Sequence, residues 1–115
     1  HYHWQHESCL YAVRKGADAG WVGDRSQTTL WEVPLDETVP GGHSAQKPVD
    51  LMARPLGNHS GDVLDPFVGS GSMVIAAESL NRRCFAMDID PGYCDVTVQR
   101  WEEFSGGKAV REKEG

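Results

Sequence analysis

Two aspartates and a pair of glycines carry the chemistry in this sequence. Asp65 stands in "VLDPFVGSGS", and Asp88 stands in "CFAMDIDPGY". Between the two acids the chain passes Gly69 and Gly71, with Ser70 between the glycines and Ser72 after them. Glycines at such a turn tolerate positive φ and carry no side chain that would block an approaching ligand. Ser70 and Ser72 offer hydroxyls and backbone donors near a helix start.

Three ligand classes could use a turn of this kind. A nucleoside-triphosphate loop needs G-x-x-x-x-G-K-[ST], and no Lys follows Gly71. A dinucleotide site wants G-x-G-x-x-G, and the third small residue is replaced by Val74. The third class has no phosphate and uses two acids. Asp88 falls close to the ~20 residues that separate such a turn from a ribose-binding acid in dinucleotide folds. Its carboxylate suits ribose hydroxyls, and a second carboxylate beside the turn suits a cationic ligand. S-adenosylmethionine combines a sulfonium, an ammonium and a nucleoside.

The elements that must position these groups follow from the apolar pattern. "DVLDPF" reads as a short buried strand, "SMVIAAESL" as a helix and "NRRCFAMDI" as the next strand. "PGYCDVTVQRWEEF" reads as a helix with Asp90 as its cap and Pro91 in its first turn. Trp101 and Phe104 are expected in its core face. Upstream, "KPVDLMARPLGN" reads as a helix with Ser44 as a candidate cap and Pro55 as a kink or early stop. Alternating helix and strand over residues 47–104 predicts parallel strands joined by right-handed crossovers. Residues 1–33 read differently. "HESCLYAV" and "TTLWEV" carry strand-favouring residues and predict an N-terminal antiparallel hairpin. Residues 34–46 read as an exposed, mobile connection, and 105–115 as a polar, frayed tail. The expected fold is α/β: one partial Rossmann-like domain with that hairpin at its start.

Bulk properties narrow the function. The chain has 115 residues, a formal charge of −6 and 39% hydrophobic residues. One modest domain is expected, with no membrane span. The acidic balance argues against strong electrostatic binding of nucleic acid by the chain alone. Cys9, Cys84 and Cys94 have no metal-like spacing and read as free thiols of a reducing compartment, the cytoplasm. His1, His3, His6 and Glu7 lack a zinc-like partner downstream, so no metal is expected. Trp21, Arg25 and Trp31, with Arg14 and Lys15, read as a Trp-filled sheet face with solvated basic residues; contact with DNA is the alternative.

"HSAQKP", "VLDPFVGSGS", "CFAMDIDPGY" and "RWEEFSGGKA" resemble the amino-directed DNA methyltransferases, which methylate adenine N6 or cytosine N4. "H-S-A-Q-K-P" directly before the D-P-F segment resembles a permuted subgroup whose cofactor motifs come near the C-terminus. The resemblance implies that Asp65, Phe67, Gly69 and Gly71 wrap the methionine part of S-adenosylmethionine, with Ser70 also among the cofactor-binding residues. It implies that Asp88 holds the ribose and that Ile89 lies against the adenine. Ser44, Gln46 and Lys47 match the segment that closes over the methionine carboxylate. DNA is then the partner, in a restriction-modification or phage setting, with adenine favoured as the target.

The family transfers the methyl group with a D-P-P-Y type motif. No such tetrapeptide occurs in this sequence, whose Asp-Pro pairs are Asp65-Pro66 and Asp90-Pro91. The permuted order implies that the motif lies upstream of His1, so the chain reads as the C-terminal part of an enzyme and as inactive alone. Self-association, or pairing with the missing N-terminal part, is expected at an incomplete sheet edge. The rivals are a dinucleotide-dependent oxidoreductase fragment and a non-catalytic partner subunit.

Overall fold

A two-stranded parallel sheet and three helices make up the regular structure of a computed structural model that describes residues 1–34 and 47–113. The order is α1 (Val49–Gly57), β1 (Val63–Asp65), α2 (Ser72–Ser79), β2 (Cys84–Ala86) and α3 (Pro91–Ser105). β1 pairs with β2 in register, Val63 opposite Cys84, Leu64 opposite Phe85 and Asp65 opposite Ala86. The ladder is extended at both ends. Val63 N donates to Arg83 O at 2.8 Å, and Met87 N donates to Asp65 O at 3.0 Å.

α2 is the centre of the core. Its Ile75, Ala76 and Ala77 are buried together with Val63 of β1 and Val68 of the turn. Small alanines at this helix face let neighbouring backbones approach closely, which suits a short chain with few large apolar residues to bury. α3 begins where the sequence predicts. Asp90 is its cap, accepting from Gly92 N at 2.8 Å, and Pro91 opens the first turn. It ends on Gly106 at φ 73°, a left-handed cap suited to glycine.

Several expectations are corrected. The N-terminal hairpin is not formed: the described sheet is parallel and contains β1 and β2 alone, and residues 6–13 and 28–33 are irregular. Strand propensity reflects fit to a half-buried pleated surface, and these segments have none beside them. Leu10 and Leu30 are accordingly exposed. The N-terminal segment docks through other contacts. Val22 N donates to Asn58 O at 2.8 Å, and Gln27 and the buried Asn58 exchange side-chain amide bonds. Trp21 packs edge-on against Tyr11 and His59 rather than in a Trp-filled sheet face.

Pro55 lies inside α1, which runs on to Gly57. A proline removes only its own donor, and the Pro55 carbonyl still accepts from Asn58 N. The cap position of α1 is Pro48 rather than Ser44. β1 is buried on one face only. Leu64 is 70% and Phe85 55% exposed, so among the described residues the second face of the sheet is uncovered. Phe104 is also exposed rather than in the core, and Trp101 is half-buried. Of the connection at 34–46, residues 35–46 lie outside the described residues.

Candidate functional site

The site is the turn between β1 and α2, at the carboxyl ends of both strands. That edge is where open α/β sheets bind ligands. β1 delivers Asp65, whose Oδ1 accepts from Phe67 N at 3.1 Å and starts the turn. Val68 N then donates to Met87 O at 3.0 Å, tying the turn to the segment after β2. Gly69 sits at φ 57° and Gly71 at φ 93°, both in the left-handed region.

The two glycines serve different ends. A β-carbon at Gly69 would meet no atom of the described residues within 4 Å, so among them the space beside it is open. A β-carbon at Gly71 would lie 2.8 Å from Thr97 Cγ2 and Oγ1. Gly71 therefore admits α3 rather than clearing space for a ligand. Gly71 N closes the turn by donating to Val68 O at 3.1 Å.

Asp88 stands on the other side, half-buried, just past β2. Its Oδ2 accepts from Gly69 N at 2.9 Å, and its Oδ1 accepts from Asp90 N at 2.8 Å. One carboxylate thus joins the glycine turn to the cap of α3. Each carboxylate oxygen has two lone pairs and spends one on the backbone, leaving one apiece for a ligand hydroxyl. Phe67 is 86% and Ile89 101% exposed, so two apolar side chains flank the carboxylates without covering them.

The remaining expected residues divide. Ser70 lies in the turn, and its carbonyl accepts from Arg100 Nη1 at 2.7 Å. Lys47 is near the site through its backbone, since Ser72 Oγ donates to Lys47 O. Its ammonium ion-pairs with Glu7 at 2.6 Å. That pair is solvent-exposed and contributes less than about 1 kcal/mol, so it does not lock the lysine away. Ser44 and Gln46 lie outside the described residues.

The sequence did not single out Thr97 and Arg100, both of which reach the turn from α3. Their signal was periodicity: with Tyr93 and Phe104 they recur at three- and four-residue steps on one helix face. Cys84 is half-buried on β2, and burial with the nearby Asp65 carboxylate raises its thiol pKa. A thiol shifted in that direction is a poor nucleophile at neutral pH. A groove of about 450 Å³ lined by Arg82, Phe85 and Trp101, among others, shares no residue with the turn.

Comparison with known proteins shows the family. A family model described as DNA methylase, of the N6/N4 type, matches residues 5–99. The Type II methyltransferase M.Cfr9I of Citrobacter freundii is 36% identical over 93 residues, covering 77% of this chain and 30% of the relative. The Type II methyltransferase M.HpaI of Haemophilus parainfluenzae is 37% identical over 75 residues, covering 62% of this chain and 24% of the relative. The chain thus spans about a third or less of the length of such curated relatives. A crystal structure of an M1.HpyAVI–SAM complex superposes with a TM-score of 0.51 at 26% identity, over 70% of this chain and 42% of that one. A match running through the strand, the glycine turn and most of α3 assigns this chain to the N6/N4 DNA methylase family.

Proposed function

We propose that this chain is the S-adenosylmethionine-binding part of a site-specific DNA methyltransferase that modifies the exocyclic amine of a base, adenine N6 being favoured over cytosine N4. One observation carries the reading. Asp65 and Asp88 flank an open, glycine-lined turn at the carboxyl edge of the sheet, and Asp88 organises that turn through Gly69 N. The solved relative in complex with SAM supports the choice of ligand.

The residues fit this cofactor. The open side of Gly69 allows close approach to the backbone. The free lone pairs of Asp88 suit ribose hydroxyls. Exposed Ile89 offers an apolar surface to the adenine ring, and Phe67 one to the thioether side. The Asp65 carboxylate places negative charge near a cationic ligand. Gly71 and Ser70 complete the turn, and Lys47, beside α2 through its backbone, is the proposed charge partner of the methionine carboxylate. When bound, the cofactor supplies an electrophilic methyl group. The chain's own part is to bind it, orient it and shield it from misalignment.

The chemistry at the amine needs a D-P-P-Y type motif, which these 115 residues lack. We therefore read this chain as inactive alone and as the partner of a polypeptide or segment that carries that motif. The open sheet face at Leu64 and Phe85 supports such pairing, since exposed apolar residues on a strand pair invite a cover. DNA is engaged by the assembled enzyme, in a restriction-modification or phage context.

The test has two arms. In calorimetry, S-adenosylhomocysteine should bind the chain weakly and NAD not at all. Binding of NAD alone would instead favour the oxidoreductase rival. Mixing the chain with a D-P-P-Y-bearing polypeptide and DNA should give methyl transfer that neither component gives by itself. Transfer in no combination would point to a non-catalytic subunit.

A further inference from the structure

We infer that Thr97 and Arg100 are positioning residues, a clamp on α3 that holds the glycine turn in the shape that receives the cofactor. The inference rests on the S-adenosylmethionine reading above. Neither residue belongs to the turn. Thr97 Oγ1 donates to Gly69 O at 3.0 Å. Arg100 Nη1 donates to Ser70 O at 2.7 Å and lies 3.4 Å from both Ser70 Oγ and Ser72 Oγ. The two side chains sit three residues apart on one helix face and pin two consecutive carbonyls.

The turn is held from both sides as a result. Gly69 is fixed at its nitrogen by Asp88 and at its oxygen by Thr97. Its peptide planes cannot rotate without breaking one of these bonds. A turn of left-handed glycines is otherwise among the most mobile pieces of backbone. The bare Gly71 makes the clamp possible, because only a missing β-carbon lets Thr97 come this close.

Arg100 is an unusual choice for a plain helix face. It is half-buried, and burial lowers its guanidinium pKa. Its described bonds go to carbonyl and hydroxyl oxygens, and neither ion pair among the described residues includes it. A guanidinium holds its donors in a fixed plane and is more weakly hydrated than a lysine ammonium, which suits a half-buried position. Arg82 uses the same device at the far end of the sheet, donating to Gly61 O, Leu56 O and His59 O. It supplies an internal control.

The experiment titrates the 115-residue chain and its variants with S-adenosylhomocysteine and follows amide hydrogen exchange in residues 68–72. Thr97→Val keeps the shape but loses the hydroxyl, and Arg100→Met keeps the stem but loses the donors. Each should weaken binding by about 10-fold and speed exchange in the turn. Thr97→Ser should restore both, and Arg100→Lys should fall between. Arg82→Met should lower the melting temperature with affinity unchanged. Unaltered affinity and exchange in Thr97→Val and Arg100→Met, in a chain whose wild type binds, would overturn the clamp alone. A wild type that does not bind at all would remove the cofactor reading and the clamp's purpose with it. If Arg100→Met fails to fold, the Val and Ser pair at Thr97 decides the matter.

Discussion

Replacing Asp88 by Asn is expected to weaken S-adenosylhomocysteine binding by about 100-fold, roughly 2.7 kcal/mol. Two losses combine. The carboxylate accepts from Gly69 N and Asp90 N, and charge-assisted bonds of this kind are worth about 1.5–3 kcal/mol. An Asn amide can keep one acceptor, but its NH₂ then faces a second backbone donor. The turn loses its anchor while the ribose loses an acceptor. Asp88→Glu keeps the charge and displaces it by one methylene, so an intermediate loss is expected. Calorimetry reads the affinity and a thermal melt reads the fold. An Asn variant that melts lower but binds like the wild type would confine Asp88 to a structural role.

The second large effect is on stability. Gly71→Ala should cost about 3 kcal/mol, which for a chain of this size lowers the melting temperature by roughly 15 °C. Part of that cost is conformational, since Ala at φ 93° is strained by about 1 kcal/mol or more. The rest is steric. The new β-carbon would stand 3.0 Å from Thr97 Cβ, which is fixed to the helix and cannot swing aside. The contrast with Gly69→Ala separates the two causes. Gly69 also has positive φ but meets nothing within 4 Å, so only the conformational part applies. That substitution should lower affinity more than stability, because its methyl group enters the open space of the site. Thr97→Gly in the Gly71→Ala background should recover the steric part in a double-mutant cycle. Additive effects would show that the close approach of α3 is not what Gly71 serves.

Much of the cofactor half was legible because its signals are local. A strand ending in Asp-Pro-Phe, two glycines before an apolar helix and an Asp-Pro cap each state their own geometry. The structure has β1, α2, β2 and α3 in that order, with Asp90 capping α3. The parallel pairing followed from alternation of helix and strand. The N-terminal third was less legible for a physical reason. "HESCLYAV" and "TTLWEV" have strand composition, but a strand needs a neighbour, and composition does not supply one. The same gap explains Leu64 and Phe85. "DVLDPF" reads as a buried strand, whereas Leu64, like Phe85 opposite it, lies on a face that is uncovered among the described residues.

At the site itself, residue types were legible and their partners were not. Asp88 stood out as a ribose acceptor, yet its bonds to Gly69 N and Asp90 N depend on how the segment after β2 folds back. Arg100 is not singled out by the sequence. Its aliphatic stem lets it lie on a half-buried face while its head reaches the carbonyl of Ser70. Gly71 was read as room for a ligand and turns out to be room for Thr97.

Backbone amide NMR during titration with S-adenosylhomocysteine tests the central claim most directly. Saturable shifts should concentrate at residues 65–72 and at Asp88 and Ile89, with NAD producing none. Shifts confined to the groove beside Arg82 and Trp101, or no saturable change anywhere, would contradict a cofactor seat built on Asp65, the glycine turn and Asp88.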